Sequence, residues 1–133
     1  MGLCTEPGQV IEAFDAAFAA GDANAIADLY EEDASYYDIS GPALVHRGKA
    51  AIRKAWLDML RALEFLDFTM GPREEAVAGD YAFGHMTFRA TARPRGSTDE
   101  PTIMEGRTTE ILHRGADGGW RYHVDHASLP QPE

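Results

Sequence analysis

The chain has 133 residues, of which 44% are apolar and 26% charged, and a net charge of −10. That length can bury one core without disulfide staples, and the balance is that of an ordinary globular domain. The acidity excludes a nucleic-acid surface, which needs cations to displace counterions, and argues equally against an anionic membrane surface. With no membrane-length apolar run and no basic-then-apolar leader, the expected location is the cytoplasm. Cys4 is the only cysteine, which rules out an intrachain disulfide or a cysteine metal cluster.

Val10, Ile11, Phe14 and Phe18 recur at helical spacing, with Thr5 and Pro7 suited to the start of that helix and Gly21 to its stop. Asp22 caps a short second helix that buries Ile26, Leu29 and Tyr30. A short aromatic strand follows, closing on Asp38, before Ser40-Gly41-Pro42 breaks the chain. A third helix starts near Gly48 and buries Ile52, Trp56, Met59 or Leu60, and Leu63, with Arg47, Lys49, Arg53 and Lys54 on its solvated entrance. Strands are expected at Phe65 to Met70, Glu75 to Val77, Tyr81 to about Arg93, Thr102 to His113 and Trp120 to Ser128. Leu129 to Glu133, with two prolines, reads as a flexible tail.

Helices followed by an antiparallel meander predict an α+β fold in one domain, residues 1–133, with three N-terminal helices packed on one sheet face. Strands of about 12 residues reach roughly 40 Å, too long to stay flat, so the sheet curls. Helices across its open end would leave a cone-shaped cavity suited to a ligand.

The segments Ala20-Gly21-Asp22, Leu29-Tyr30 and Asp33-Ala34 resemble the opening of the nuclear-transport-factor-2-like superfamily. Arg47-Gly48-Lys49-Ala50-Ala51-Ile52 resembles the start of that family's third helix. The run from Gly119 to Ser128 is similar to the SnoaL-like branch and to the association domain of calmodulin-dependent kinase II. Together these segments span about residues 8 to 130. The superfold hosts isomerases, cyclases, dehydratases, hydrolases and binding modules, so fold alone does not name an activity.

Asp38 follows two tyrosines, and a carboxylate held among apolar groups loses hydration and becomes a candidate base. The resemblance places it where ketosteroid isomerases carry their proton-shuttling aspartate. Their donor tyrosine falls on Phe14, which cannot donate, and their second donor falls near Thr108. The alternative for Asp38 is a cap on the turn at Ser40-Gly41.

Strand alternation groups Tyr81, Phe83, His85, Thr87 and Arg89 on one face. Arg89 is similar to a cavity arginine of the kinase association domain, and Glu110 falls where that family has a second arginine. The two are expected either to anchor a polar headgroup or to pair across neighbouring strands. His126, grouped with Tyr122 and Val124, matches the family's C-terminal histidine and is the expected proton partner, unless Tyr or Ser hydroxyls satisfy it.

A metal reading of His123, Asp125 and His126 lacks ligand spacing, and no phosphate loop, dinucleotide fingerprint or nucleophile elbow occurs. No metal and no cofactor is therefore expected. Phe14, Tyr30, Trp56 and Tyr122 are expected to line an apolar pocket for a small apolar or polyketide-like ligand, with Arg89, Thr108 and Glu110 as polar anchors. The leading expectation is cofactor-independent isomerisation, cyclisation or elimination, with Asp38 as base and His126 as its partner. The rival is a non-catalytic ligand-binding or oligomerisation module. The family analogy also implies a homodimer through the outer sheet face.

Overall fold

The computed structural model describes residues 2–40 and 44–130. Gly41 and Pro42 of the expected chain break, and residues 131–133 of the expected tail, lie outside them. The first helix, α1, is Pro7–Ala19, with proline at its start, where no helical N–H is needed. Gln9 accepts from the backbone N–H of Thr5 and of Glu6, and Gly21 leaves the helix with a φ of +65°. Asp22 caps α2 (Ala23–Ala27), its carboxylate accepting from the Ala25 N–H at 3.0 Å.

The chain then forms β1 (Tyr30–Tyr37), β2 (Val45–Arg47) and α3 (Lys49–Ala62). Five strands follow: β3 (Leu63–Met70), β4 (Glu74–Ala78), β5 (Tyr81–Pro94), β6 (Thr102–Arg114) and β7 (Trp120–Ser128). The short strand β2, read from sequence as part of the helix approach, hydrogen-bonds to β1 through Ser35, Tyr36 and Tyr37. Three residues carry too little periodicity to announce a strand.

Seven strands form one α+β sheet in the order β2-β1-β7-β6-β5-β3, with β4 also paired to β5. The expectation of an antiparallel sheet needs correction, because β1 runs parallel to β7 and the sheet is mixed. More than half of the chain separates Tyr37 from Trp120, so no local turn signal encodes the relative direction of the two strands.

The register shifts in three strand pairs, between Tyr30 and Ser35 of β1 and at two single-residue bulges that curve the sheet. On β3, Leu66 is the extra residue between the pairs Phe65↔Ala92 and Asp67↔Thr91. On β7, His123 is extra between Leu112↔Tyr122 and Ile111↔Val124. Val10, Phe14 and Phe18 of α1 meet Ile52 and Trp56 of α3 in one core with Tyr30, Tyr36, Leu112 and Tyr122 from the strands. Each large apolar side chain buried this way contributes roughly 1.5–3 kcal/mol. Among the described residues no helix is long and apolar enough to cross a membrane.

Candidate functional site

Inside the curl lies a cavity of about 70 Å³, between the aromatic face of the helices and the inner face of the sheet. Phe14, Phe18 and Trp56 form its helical wall, while Phe88, Thr108 and Tyr122 face them from the strands. Phe14 and Trp56 meet edge-on at 5.4 Å, and Tyr36 stacks on Trp56 at 5.1 Å. Met59, Met70, Met86 and Met104 all line it, so every methionine among the described residues borders this void. Methionine is unbranched and readily repacked, which makes the wall adaptable.

Two carboxyl groups interrupt the apolar lining. Glu110 on β6 and Asp125 on β7 are cross-strand partners, 1% and 8% exposed. Glu110 is ion-paired through one oxygen with Arg73, whose guanidinium lies over Gly84, the β5 partner of Glu110. A Cβ at position 84 would occupy the space of that guanidinium, so glycine there is a packing requirement. The other Glu110 oxygen, Arg73 Nη2 and Thr108 Oγ1 are buried without partners.

Asp125 accepts a 2.5 Å hydrogen bond from the Tyr30 hydroxyl, which accepts in turn from Trp56 Nε1 at 3.3 Å. Burial first, and then the Glu110 charge, push the Asp125 carboxyl up to about 7, against the opposing pull of the Tyr30 bond and the Arg73 charge. Burial also holds the Tyr30 and Tyr122 hydroxyls well above their ordinary range, so both stay protonated.

Phe14, Trp56, Thr108, Glu110 and Tyr122 therefore border the cavity, and Tyr30 reaches it through its bond to Asp125. Asp38 is 7% exposed but lies outside the lining, although its neighbour Ile39 belongs to it. The Ser40 N–H and hydroxyl donate to Asp38 Oδ1 at 2.9 Å each, and His46 Nε2 stands 3.0 Å from Oδ2. Its carboxylate is thus engaged by its own turn and by β2, the strand that sequence patterning omitted.

Arg89 does share a face with Phe83 and Thr87, but that face is the outer one, and Arg89 is exposed. Its partner across β6 is Glu105; the expected Arg89–Glu110 pair is replaced by Arg73–Glu110. The inner face of β5 carries the more apolar even-numbered set, including Ala82, Met86, Phe88 and Ala90. His126 is likewise exposed and packs on Tyr37 with ring centroids 5.2 Å apart. The bulge at His123 inverts the alternation of β7, so Asp125 and Ala127 follow Tyr122 into the cavity while His126 turns out. It also parts His123 from Asp125: His123 lies with Glu31 and Asp33 outside the cavity, ligand atoms within 4.8 Å of one another.

Asp125, weighed from sequence only as a metal ligand, and Arg73, which pairs with Glu110 from behind the lining, are the groups that sequence reasoning did not place at the cavity. No motif marks Arg73, which sits between strands, but Gly84 in the middle of a strand is a sign that another group approaches closely.

A mixed, curved sheet closed by helices over a largely apolar void with a buried carboxyl pair defines an α+β pocket protein. The chain belongs to the SnoaL-like domain family, which it matches over residues 11–123. No protein of curated function matches its sequence. A ketosteroid isomerase-like protein from Erwinia carotovora atroseptica has a similar structure, with 21% identity, 95% of each chain covered and a TM-score of 0.81. A protein of the nuclear-transport-factor-2-like family from Streptomyces avermitilis, provisionally described as a dehydratase, is 20% identical over 94% of each chain, at a TM-score of 0.78. A calcium/calmodulin-dependent protein kinase II association domain from Xanthomonas campestris, also provisionally described, shares 20% identity over 95% of this chain and 86% of its own, at 0.76. At these identities the likeness establishes the fold.

Proposed function

We propose that the cavity binds a small, mostly apolar molecule and moves a proton on it, with Asp125 as the acid–base group and no cofactor. The observation that carries this reading is a buried aspartate titrating at about 7 inside an apolar void. A general acid or base works best when its pKa lies near the operating pH. Asp125 can hold the proton in one half of a cycle and release it in the other, as isomerisation, cyclisation or elimination requires. The role expected for Asp38 and His126 passes to Asp125, with Tyr30 orienting its carboxyl and the Glu110–Arg73 pair setting its charge environment. Thr108 is the polar anchor beside them. The names of the isomerase-like and dehydratase-like structures agree with this class of chemistry.

Proton exchange into deuterated water, followed by NMR on a small aryl ketone, tests the reading. The wild-type protein should accelerate exchange and Asp125→Asn should not. Equal rates for the two proteins, or none above buffer for either, would exclude it.

A second reading concerns assembly, and an exposed apolar surface favours it. Tyr81 and Phe83, neighbours on the outer face of β5, are 40% and 47% exposed. We propose that this face pairs two copies of the chain, since contiguous exposed apolar groups mark association surfaces. Light scattering should give a dimer for the wild type and a monomer for Phe83→Asp.

A further inference from the structure

The buried charges of the cavity do not balance. Glu110 and Asp125 stand side by side on neighbouring strands, and Arg73, the cation beside them, already spends hydrogen bonds on Glu110 and on Glu75. Among the described residues no lysine, arginine or histidine lines the void itself. Arg73 Nη2 has no partner, but it lies against Gly84 on the sheet. The free oxygen of Glu110 is a pure acceptor in a side chain only 1% exposed that borders the void, and Thr108 Oγ1 is free to accept as well. With Asp125 beside them, this end of the cavity presents acceptors and one uncompensated negative charge. Around it stand Trp56, Phe14 and Tyr122, aromatic rings whose π-faces attract a cation.

The volume limits what can enter. A water needs roughly 10–15 Å³ of such space and takes about 30 Å³ of liquid. A void of about 70 Å³ therefore matches about five to seven waters, or roughly 150–200 Å³ of liquid. That is one aromatic ring with a short arm; a fused four-ring molecule would require the methionine wall to move.

From the orphaned acceptors, the missing cation and this volume, we infer that the ligand is a single-ring amine, its ammonium group held between Glu110, Asp125 and Thr108. The inference rests on the cavity being a ligand pocket and not on its proton chemistry. It carries a pH dependence. The groups facing Asp125 are Tyr30 and Tyr36 of β1, Trp56 of α3, Glu110 of β6, Arg73 and its own strand neighbour Tyr122. The tyrosines and Trp56 are neutral, so Asp125 is the member of the set that exchanges its proton for an ammonium near neutrality. Amine binding should thus strengthen as pH rises through about 7 and should release a proton just below it.

Isothermal calorimetry with benzylamine, benzyl alcohol and benzoate tests this. The wild type at about pH 8 should bind benzylamine at least tenfold more tightly than benzyl alcohol, about 1.4 kcal/mol, and benzoate most weakly. The preference should shrink below about pH 6, where Asp125 keeps its proton. Asp125→Asn should lose the preference while still binding benzyl alcohol, and Thr108→Val should weaken benzylamine without removing its pH dependence. Benzylamine no tighter than the alcohol, benzoate tightest, no binding of any probe, or an undiminished preference in Asp125→Asn would each overturn the inference. In the wild type, ketone exchange without an amine preference counts against the amine alone, and an amine preference without exchange counts against the proton chemistry alone.

Discussion

Glu110 and Asp125 face each other across β6 and β7 with both carboxyl groups directed inward. Like charges directly opposite on a sheet repel, and burial amplifies the repulsion. The pair settles this asymmetrically: Arg73 neutralises Glu110, while Asp125 titrates at about 7. A fold with an aromatic core thus carries a local charge conflict on the wall of its apolar cavity.

Asp125 should therefore make the protein less stable as pH rises. Its folded pKa of about 7 lies above its ordinary value of 3.8. Between those values the unfolded chain has lost the proton and the folded chain retains it, so stability falls by about 1.4 kcal/mol per pH unit. The accumulated loss is about 4 kcal/mol and is complete above about pH 7. Asp125→Asn, which can still accept from Tyr30, should remove this slope. Urea midpoints of the two proteins should converge near about pH 4 and diverge, with the variant more stable, by about pH 7.

Arg73→Met should be severe. It leaves Glu110 buried and unpaired, a change that costs about 3–5 kcal/mol. Adding Glu110→Met should recover most of that loss, because two apolar groups replace the pair without stranding a charge. A double-mutant cycle on unfolding free energy reads the coupling directly; additive losses would show that the pair is not a unit.

Tyr30→Phe deletes a hydrogen bond that lowers the Asp125 pKa. Without it, the titration of the Asp125 carboxyl carbon by NMR should move up by roughly one pH unit. Trp56 Nε1 loses its acceptor in the same variant, so a stability loss of about 1–3 kcal/mol is expected as well. The wild-type titration unchanged in Tyr30→Phe would mean that the 2.5 Å contact has little influence on the acid.

The helices and long strands were legible because their apolar periods are sustained: Val10, Phe14 and Phe18 repeat over α1, and the alternation of β5 is clean. Phe14, Trp56 and Tyr122 were expected in a pocket as aromatics and Thr108 and Glu110 through the family resemblance, and all five border it. What escaped was information carried across the chain. Period-2 reasoning assumes an unbroken ladder, and the extra residue His123 reverses the side on which Asp125 and His126 emerge. Alternation also groups residues by face without saying which face is inner; for β5 the composition of the two sets held the answer, and Arg89 lay on the wrong one. The parallel pairing of β1 with β7 and the reach of Arg73 to Glu110 depend on tertiary contacts with no local signature.

Asp38 and Asp125 can be separated by one comparison. Both are buried aspartates near the aromatic cluster, but Asp38 spends its oxygens on Ser40 and His46, tying the end of β1 to β2. Asp38→Asn should therefore loosen that end, at about 1–3 kcal/mol, while ligand affinity and proton exchange in the surviving folded protein stay near wild type. Asp125→Asn should do the reverse, raising stability at neutral pH and abolishing exchange. The opposition in sign matters more than either magnitude, since a general loss of folding would move stability and activity together. Exchange abolished in Asp38→Asn at full folding would return the base to the end of β1, and the buried carboxyl pair would then be only the electrostatic floor of the pocket.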